Sequence, residues 1–276
     1  MSQPTTYIFY HDECVAAISD YYDFLTSLYL DESSVLRPPP GGWSEITPET
    51  MHGLGKSDTV INLLRHLPYI RTDGERIQAA PWVEFANWAD TPCASDEDGE
   101  NARICSEPPE YVESDSIPAH VIGLTACESA ELGGYFLLDT ELGVVHWVGC
   151  YGELKDEQSL DDDSTLIRPI LFDEDTATWD EDDEEAEWRG DSPAWPVAEF
   201  FEVLKGQFRK LSFVALDCMR VQDIYTPSGP GKDGYIETVQ GVYRQHGWPD
   251  VDRYRKSDCL QAVEDALQER YPGEFF

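Results

Sequence analysis

Hydrophobic positions near the start of the chain recur with a helical period. In "DECVAAISDYYDFLTSLYL", residues 12–30, apolar side chains return every three or four positions and so share one helix face. "RPPPGGW" interrupts this pattern. A shorter helical pattern follows in "KSDTVINLLRHLPYI", with Ser57 or Asp58 as the N-cap and Pro68 at its end. The two stretches predict an N-terminal helical region.

The period changes from "AAPWVEFANW" onward, where short apolar runs replace the helical pattern. "AHVIGLT", "GGYFLLD" and "GVVHWVG" are rich in β-branched and aromatic residues, which favour strands. Between the last two runs, Asp139 to Gly143 ("DTELG") supplies residues typical of a tight turn. The pattern therefore predicts a β-hairpin at the centre of an antiparallel sheet.

Further elements are predicted in the second half of the chain. "TLIRPILF" indicates an edge strand, because Pro169 cannot donate to a sheet ladder. "DSPAWPVAEFFEVLKGQFRKL" predicts a helix, with acids leading and bases trailing, and "SFVAL" predicts a strand after it. "YTPSGPGKDGY" indicates a loop. "SDCLQAVEDALQERYPGEFF" predicts a final helix capped by Ser257.

Two acidic stretches interrupt the apolar runs. Residues 90–116 are polar and contain proline, and we predict a long exposed loop between strands. Residues 173–187 hold ten carboxylates, whose mutual repulsion opposes packing. This second stretch is predicted to be a mobile loop, with Trp179 and Trp188 as anchors.

Composition limits the classes of partner. The chain has 276 residues, 41% of them hydrophobic, which is ample for a core, and a formal charge of −36. Such a charge disfavours nucleic acid and anionic membranes, and attracts basic protein surfaces or divalent cations. No signal peptide and no apolar run of membrane-spanning length are found, so we expect a soluble protein of the cytoplasm, with the nucleus as an alternative. The seven scattered cysteines are expected to be reduced thiols.

Motifs for chemistry are absent from the sequence. The six histidines lack metal-binding spacing, no GxSxG motif occurs, and His146 is interpreted as a structural residue of the hairpin. "GLGKSDT" contains the Gly-Lys-Ser of a phosphate loop but lacks the first glycine of that motif. "DEDTATWDEDDE" lacks the ligand order of an EF-hand. The sequence therefore predicts no catalytic residue, no cofactor and no metal site.

The hairpin and the late helix carry a combination of residues found together in one family. A strand ending in Leu-Asp runs through a glycine turn into a strand with an aromatic end, and an amphipathic helix follows later. The matching positions are Leu138, Asp139, Gly143, Val145, Trp147, Phe200, Phe201 and Leu204. Over roughly residues 10–215 the chain thereby resembles the SUKH superfamily, in particular fungal members related to the yeast cell-wall assembly regulator.

This resemblance implies a non-enzymatic α+β binding module. Members of the superfamily are known as toxin-neutralising immunity proteins in bacteria and as signalling or scaffold proteins in fungi. We therefore expect an α+β fold with a central, mostly antiparallel sheet, flanking N-terminal and C-terminal helices, and long acidic loops. Residues 1–215 form the expected SUKH-like domain, with acidic insertions at about 90–116 and 156–191. Residues 216–276 form an extension with a loop and a terminal helix, packed on the same domain.

The predicted function is the binding of a basic protein partner, as a regulatory scaffold or as a neutraliser. A concave sheet face would make the apolar contacts, and the acidic run would steer the approach and dock the partner. Two other classes stay open: a metal-dependent hydrolase that uses carboxylates from separate loops, for example Asp139 or Asp217 at strand ends with an acid from the insertions, and an acidic mimic of nucleic acid. The oligomeric state stays open as well. The predicted partner-binding residues are Asp173, Glu174, Asp175, Trp179, Asp180, Glu181, Asp182, Asp183, Glu184, Glu185 and Trp188.

Overall fold

Helices and small antiparallel sheets make up the fold, which confirms the α+β prediction. The computed structural model describes residues 9–71, 76–113, 115–126, 134–152, 170, 184–229 and 231–273. The helices in these ranges are α1 (His11–Leu28), α2 (Asp58–His66), α3 (Asp96–Ser106), α4 (Pro109–Glu113), α5 (Glu184–Asp191), α6 (Val197–Lys210), α7 (Tyr235–Gln245) and α8 (Lys256–Arg270).

The strands form four antiparallel sheets. They are β1 (Val35–Leu36), β2 (Tyr69–Ile70), β3 (Gln78–Ala80), β4 (Val83–Phe85), β5 (Val121–Gly123), β6 (Thr125–Ala126), β7 (Tyr135–Asp139), β8 (Val144–Val148), β9 (Ala194–Pro196), β10 (Phe213–Ala215) and β11 (Val221–Asp223). The largest sheet has the order β5-β7-β8-β9, and a second has the order β3-β4-β6. Two further pairs join β1 to β2 and β10 to β11.

The predicted hairpin is the middle of the largest sheet. β7 and β8 pair from Tyr135 opposite Val148 to Asp139 opposite Val144. Gly143 closes the turn: its φ is 68°, a left-handed conformation that suits glycine, and its N–H donates to the Asp139 carbonyl at 2.9 Å. Of the predicted edge strand around Pro169, only Ile170 is among the described residues, and it bridges to Ala194.

The two faces of this sheet contact different clusters. Side chains alternate along a strand, and Phe136, Leu138 and Trp147 point into the main core with helices α1 and α6. Leu137 points to the opposite face, where it forms a small separate cluster with Ile117, Val121 and Trp188. Both faces are therefore covered by this chain, and neither is a free concave surface, contrary to our expectation.

The first acidic stretch is not the long loop that we predicted. Residues 96–106 form α3, and Ser95 is its N-cap, because the Ser95 side chain accepts a hydrogen bond from Asp98 N–H at 3.1 Å. The acids at the start of α3 favour the helix, because they face the positive end of its dipole. A single buried seam that includes Ala102 and Ser106 then attaches the helix to the domain.

The C-terminal part of the chain packs on the same core as the rest. Side chains from α7 and α8, including Tyr243, Cys259 and Leu267, are buried in the main cluster. Helix α8 begins one residue before the predicted cap, so Ser257 lies inside its first turn and does not cap it. The α7 helix was not predicted from the sequence at all.

The start of α8 is tied to the end of α1. Lys256 Nζ donates to the Thr26 carbonyl at 2.8 Å and to the Leu30 carbonyl at 2.6 Å. Tyr254 OH donates to the Leu28 carbonyl at 2.9 Å. The bonds to Thr26 and Leu28 satisfy carbonyl groups that the last turn of α1 leaves without an intrahelical partner.

Two simpler expectations can be compared with the structure directly. The six cysteines in the described ranges form no disulfide bond; Cys14, Cys93 and Cys259 are buried, while Cys105 and Cys218 are exposed. None of the helices described is long and apolar enough to cross a lipid bilayer.

Candidate functional site

The predicted partner-binding run lies mostly beyond what the structure describes. Glu184 and Glu185 begin α5. Trp188, in the same helix, is the one predicted residue whose side chain the structure places. The residues that lie outside the described ranges are Asp173, Glu174, Asp175, Trp179, Asp180, Glu181, Asp182 and Asp183.

Trp188 is an interior residue. Its side chain is 0% exposed, and its ring meets the His146 ring edge-on at 5.1 Å between centroids. Its indole N–H donates to the Ser116 carbonyl at 3.4 Å. The prediction that Trp188 anchors a partner needs correction, because its side chain is buried where α5 packs on the sheet and has no surface left for a partner.

Arg189, next to Trp188, forms a buried ion pair at the hairpin. Its Nη1 lies 2.8 Å from Asp139 Oδ2 and 3.1 Å from His146 Nε2. Asp139 Oδ1 accepts the backbone N–H groups of Glu141 and Leu142 at 2.8 and 2.7 Å, as is typical of an aspartate that starts a turn. Both carboxylate oxygens of Asp139 are thus engaged.

His146 is held neutral in this cluster. Burial lowers its pKa well below the ordinary histidine range, and the Arg189 charge lowers it further. His120 lies at the edge of the same site, with Nε2 3.7 Å from Asp139 Oδ2 and Nδ1 3.6 Å from Glu141 Oε1. The cluster therefore resembles a structural support for the turn, in line with the interpretation of His146 as a structural residue.

A second buried ion pair explains the motif that resembles a phosphate loop. Lys56 Nζ lies 2.7 Å from Glu107 Oε1, and the two side chains are 1% and 0% exposed. Burial lowers the pKa of Lys56 and raises that of Glu107, while the opposite charge of each partner offsets part of the change. Lys56 therefore fastens the segment before α2 to the end of α3 and does not face a ligand.

Metal chemistry finds no support in the described part of the chain. There, no group of three or more His, Cys, Asp or Glu side chains is arranged to hold a metal ion. Asp139 is engaged as above. Asp217 accepts the backbone N–H groups of Met219 and Arg220 at 2.8 Å each and pairs with the Arg220 side chain at 2.6 Å.

Exposed carboxylates occur on the adjoining segments α3, α4, Asp115 and α5, which together we call the acidic edge. Helix α3 contacts α4, Arg103 Nη1 reaches Asp115 Oδ1 at 3.3 Å, and the Ser116 carbonyl accepts from Trp188 in α5. Asp115 keeps 86% of its side chain exposed despite this pair. The exposed acids of the edge are Asp96, Glu97, Glu100, Glu110, Glu113, Asp115 and Glu187.

Comparison with known proteins adds no family to this description. The chain matches none of the protein-family models, no curated protein and no solved structure with which it was compared. The fold and the site define an α+β protein with an acidic edge and internal ion pairs, and the SUKH resemblance stays a prediction.

The sequence missed the residues that build this site. Lys56, Glu107 and Arg189 stand among polar residues in the sequence. A charged residue is rarely buried unless it is paired, so nothing in the local sequence marks these three as interior. Each finds its partner through long-range contacts that no local pattern encodes. Asp139 and His146 were assigned to the hairpin from the sequence, although Asp139 was also named as a carboxylate of the alternative hydrolase.

Proposed function

We propose that this protein is a non-enzymatic module that binds a basic surface on another protein, as a scaffold or as a neutraliser. The observation that carries the proposal is the separation of charges along the acidic edge. Its carboxylates face solvent, whereas the cations of the same region, Lys56, Arg103 and Arg189, are buried or paired with acids. A surface of one sign steers an oppositely charged partner and raises its association rate.

The non-enzymatic part of the proposal is supported by the contacts that the buried polar side chains make. The buried His, Asp, Glu and Lys side chains discussed above contact one another or the backbone in structural roles. An active site normally gathers such groups in a cleft with their reactive atoms available. Neither rival, the hydrolase or the nucleic-acid mimic, is favoured by a specific contact in the described residues.

The test begins with partners co-purified from the source cells at low and at physiological salt. Association rates are then measured for the recovered partner with two charge variants of equal size. One carries Glu97→Gln, Glu100→Gln and Glu113→Gln on the acidic edge, and the matched control carries Glu13→Gln, Glu199→Gln and Glu269→Gln on other helices. All six glutamates are exposed, so both variants keep the fold and lose the same net charge.

We expect the edge variant to associate about tenfold more slowly at low salt, and the control to stay close to the unmodified protein. Raising the salt to about 0.15 M should reduce the difference, because the Debye length falls to about 8 Å. Equal rates for both variants, or rates indifferent to salt, would contradict the proposal. A third protein with residues 173–187 replaced by a neutral Gly/Ser linker measures what the acidic run adds.

A further inference from the structure

An open pocket lies beside the acidic edge, between α3 on one side and β6 with the segment that follows β4 on the other. Its volume is about 310 Å³. The α3 residues that line it, among them Asp98, Asn101, Ala102 and Cys105, stand at steps of three and four and so form one helix face. Across from them lie Trp88 and Ala126.

Two close backbone contacts keep α3 from closing this pocket. A Cβ atom on Gly99 would lie 1.9 Å from the Gly53 carbonyl oxygen, so the start of the helix touches that backbone directly. A Cβ atom on Gly123 would lie 2.0 Å from the Ser106 carbonyl oxygen, so the end of the helix is equally close to β5. Because backbone contacts fix α3 near both of its ends, the helix wall of the pocket is held in place and the pocket is preorganised.

The walls of the pocket favour an apolar guest. Alanines at positions 86, 102 and 126 leave room where larger side chains would fill the space, and Trp88 and Pro92 add apolar surface. An apolar cavity of about 150 Å³ accepts a benzene molecule. The pocket has about twice that volume and therefore accommodates an aromatic side chain together with its attachment to a peptide.

The negative charge at the rim of the pocket favours basic residues on either side of a bound aromatic side chain. Asp98 lines the pocket, and the exposed Glu97 lies one helical turn before the lining residue Asn101. An anionic guest is repelled by these carboxylates, whereas Lys and Arg residues flanking the guest are attracted. Buried aromatic anchors surrounded by a polar rim are the usual source of affinity in protein interfaces.

We propose that the α3 pocket receives a single aromatic side chain from a basic segment of the partner, flanked on each side by Lys or Arg. This inference rests on the proposed function and specifies the kind of peptide segment that the acidic edge would recognise. Charge raises the rate at which the segment associates with the acidic edge, and the aromatic side chain in the pocket lowers the rate at which it dissociates.

The experiment uses two fluorescent peptides, Lys-Arg-Phe-Lys-Arg and the same peptide with Ala in place of Phe. Binding to the full chain is measured by fluorescence anisotropy at low salt. Ala102→Leu fills the pocket from within, and Asn101→Trp covers its mouth from an exposed position. Ala16→Leu, on the exposed surface of α1, is the matched control, and thermal unfolding verifies that each variant is folded.

We expect the Phe peptide to bind at least about tenfold more tightly than the Ala peptide, as for an interface anchor. Ala102→Leu and Asn101→Trp should remove this preference while weak, salt-sensitive binding of both peptides remains. Equal binding of the two peptides would overturn the pocket assignment and leave the proposed function intact. Binding of neither peptide at low salt would count against both.

A small-molecule site is the remaining alternative, and the same assay separates it. N-acetyl-phenylalaninamide, which lacks the flanking bases, is added as a competitor. If it displaces the Phe peptide as effectively as unlabelled Phe peptide does, the pocket serves small aromatic molecules and our assignment is wrong. Displacement that requires the flanking bases supports it.

Discussion

The two faces of the β7–β8 hairpin are both buried, but by different means. On the core face, Phe136 meets the rings of Phe85, Trp147 and Phe200 at centroid distances of 5.9, 5.0 and 4.9 Å. On the outer face, Leu137 belongs to a cluster of four buried residues that depends on α5 for its cover. One face is held by a network of aromatic rings, the other by one helix and an ion pair.

The difference shows how the protein can keep a rigid core and still vary the segment next to it. Apolar contacts on the core face join helices and strands from the whole chain, so losing them affects global stability. The outer face is attached through neighbouring side chains of α5, Trp188 and Arg189, so its loss opens a local unit. The acidic run, residues 173–187, extends into the start of this helix and is therefore attached to the outer face, which we expect to open first.

The largest effect is expected from truncation on the core face. Phe136→Ala should lower the free energy of unfolding by about 4 kcal/mol, because the fixed surrounding rings leave a cavity. Leu137→Ala, the next residue on the same strand, should cost about 2 kcal/mol, because the α5 cover can shift or open. Urea denaturation of both variants gives the two values. A loss at Leu137 equal to that at Phe136 would abolish the distinction between the faces.

A smaller effect is expected from the ion pair of the outer face. Arg189→Met should cost about 3 kcal/mol, because it leaves the Asp139 carboxylate buried without its cation. The double variant with Asp139→Asn should recover much of this loss, since an asparagine still accepts the turn N–H groups. A double-mutant cycle in urea measures the coupling. Simple additivity of the two single losses would show that the pair contributes no specific interaction.

The smallest effect concerns pH and His146. Its pKa is lowered in the folded protein, whereas the unfolded chain binds a proton near pH 6.5, so stability is retained above about pH 6.5 and lost as the pH falls below it. We expect His146→Gln to flatten this loss by up to about 1.4 kcal/mol per pH unit. Denaturation midpoints at about pH 7, 6 and 5 provide the measurement.

Exposed His52 is the control for that comparison. His52→Gln makes the same substitution at an exposed position outside the sheet, so the change measured for His146→Gln can be compared with it. If both variants change the slope equally, the acid sensitivity does not come from the outer face of the sheet.

Periodic stretches were predictable from the sequence, and long-range charge pairs were not. The helices α1, α2 and α6 and the hairpin follow from apolar spacing, a serine cap and a glycine turn, all of which are local signals. Helix α3 escaped prediction because only a narrow seam of it is buried and acids dominate its surface. The acidic composition of this segment disfavours packing. The segment is nevertheless helical, because acids in the first turn interact favourably with the positive end of the helix dipole.

The negative charge of the candidate site was predictable from the sequence, but its location on the fold was not. Net charge alone pointed to a basic partner, and that charge is a sum over the chain, without position. The acidic edge depends on which cations are buried, and Lys56 and Arg189 are buried only because Glu107 and Asp139 reach them from distant elements. The α3 pocket depends on two glycine contacts between segments far apart in sequence.

The bonds from Tyr254 and Lys256 to the end of α1 have a consequence for synthesis on the ribosome. Their donors and acceptors are 226 to 230 positions apart, so the last carbonyls of α1 wait for their partners until nearly all of the described chain has been made. Until then, water or a chaperone has to serve that helix end. A nascent chain stalled before residue 254 is therefore expected to expose α1 to proteases, and release of the longer chain is expected to protect it.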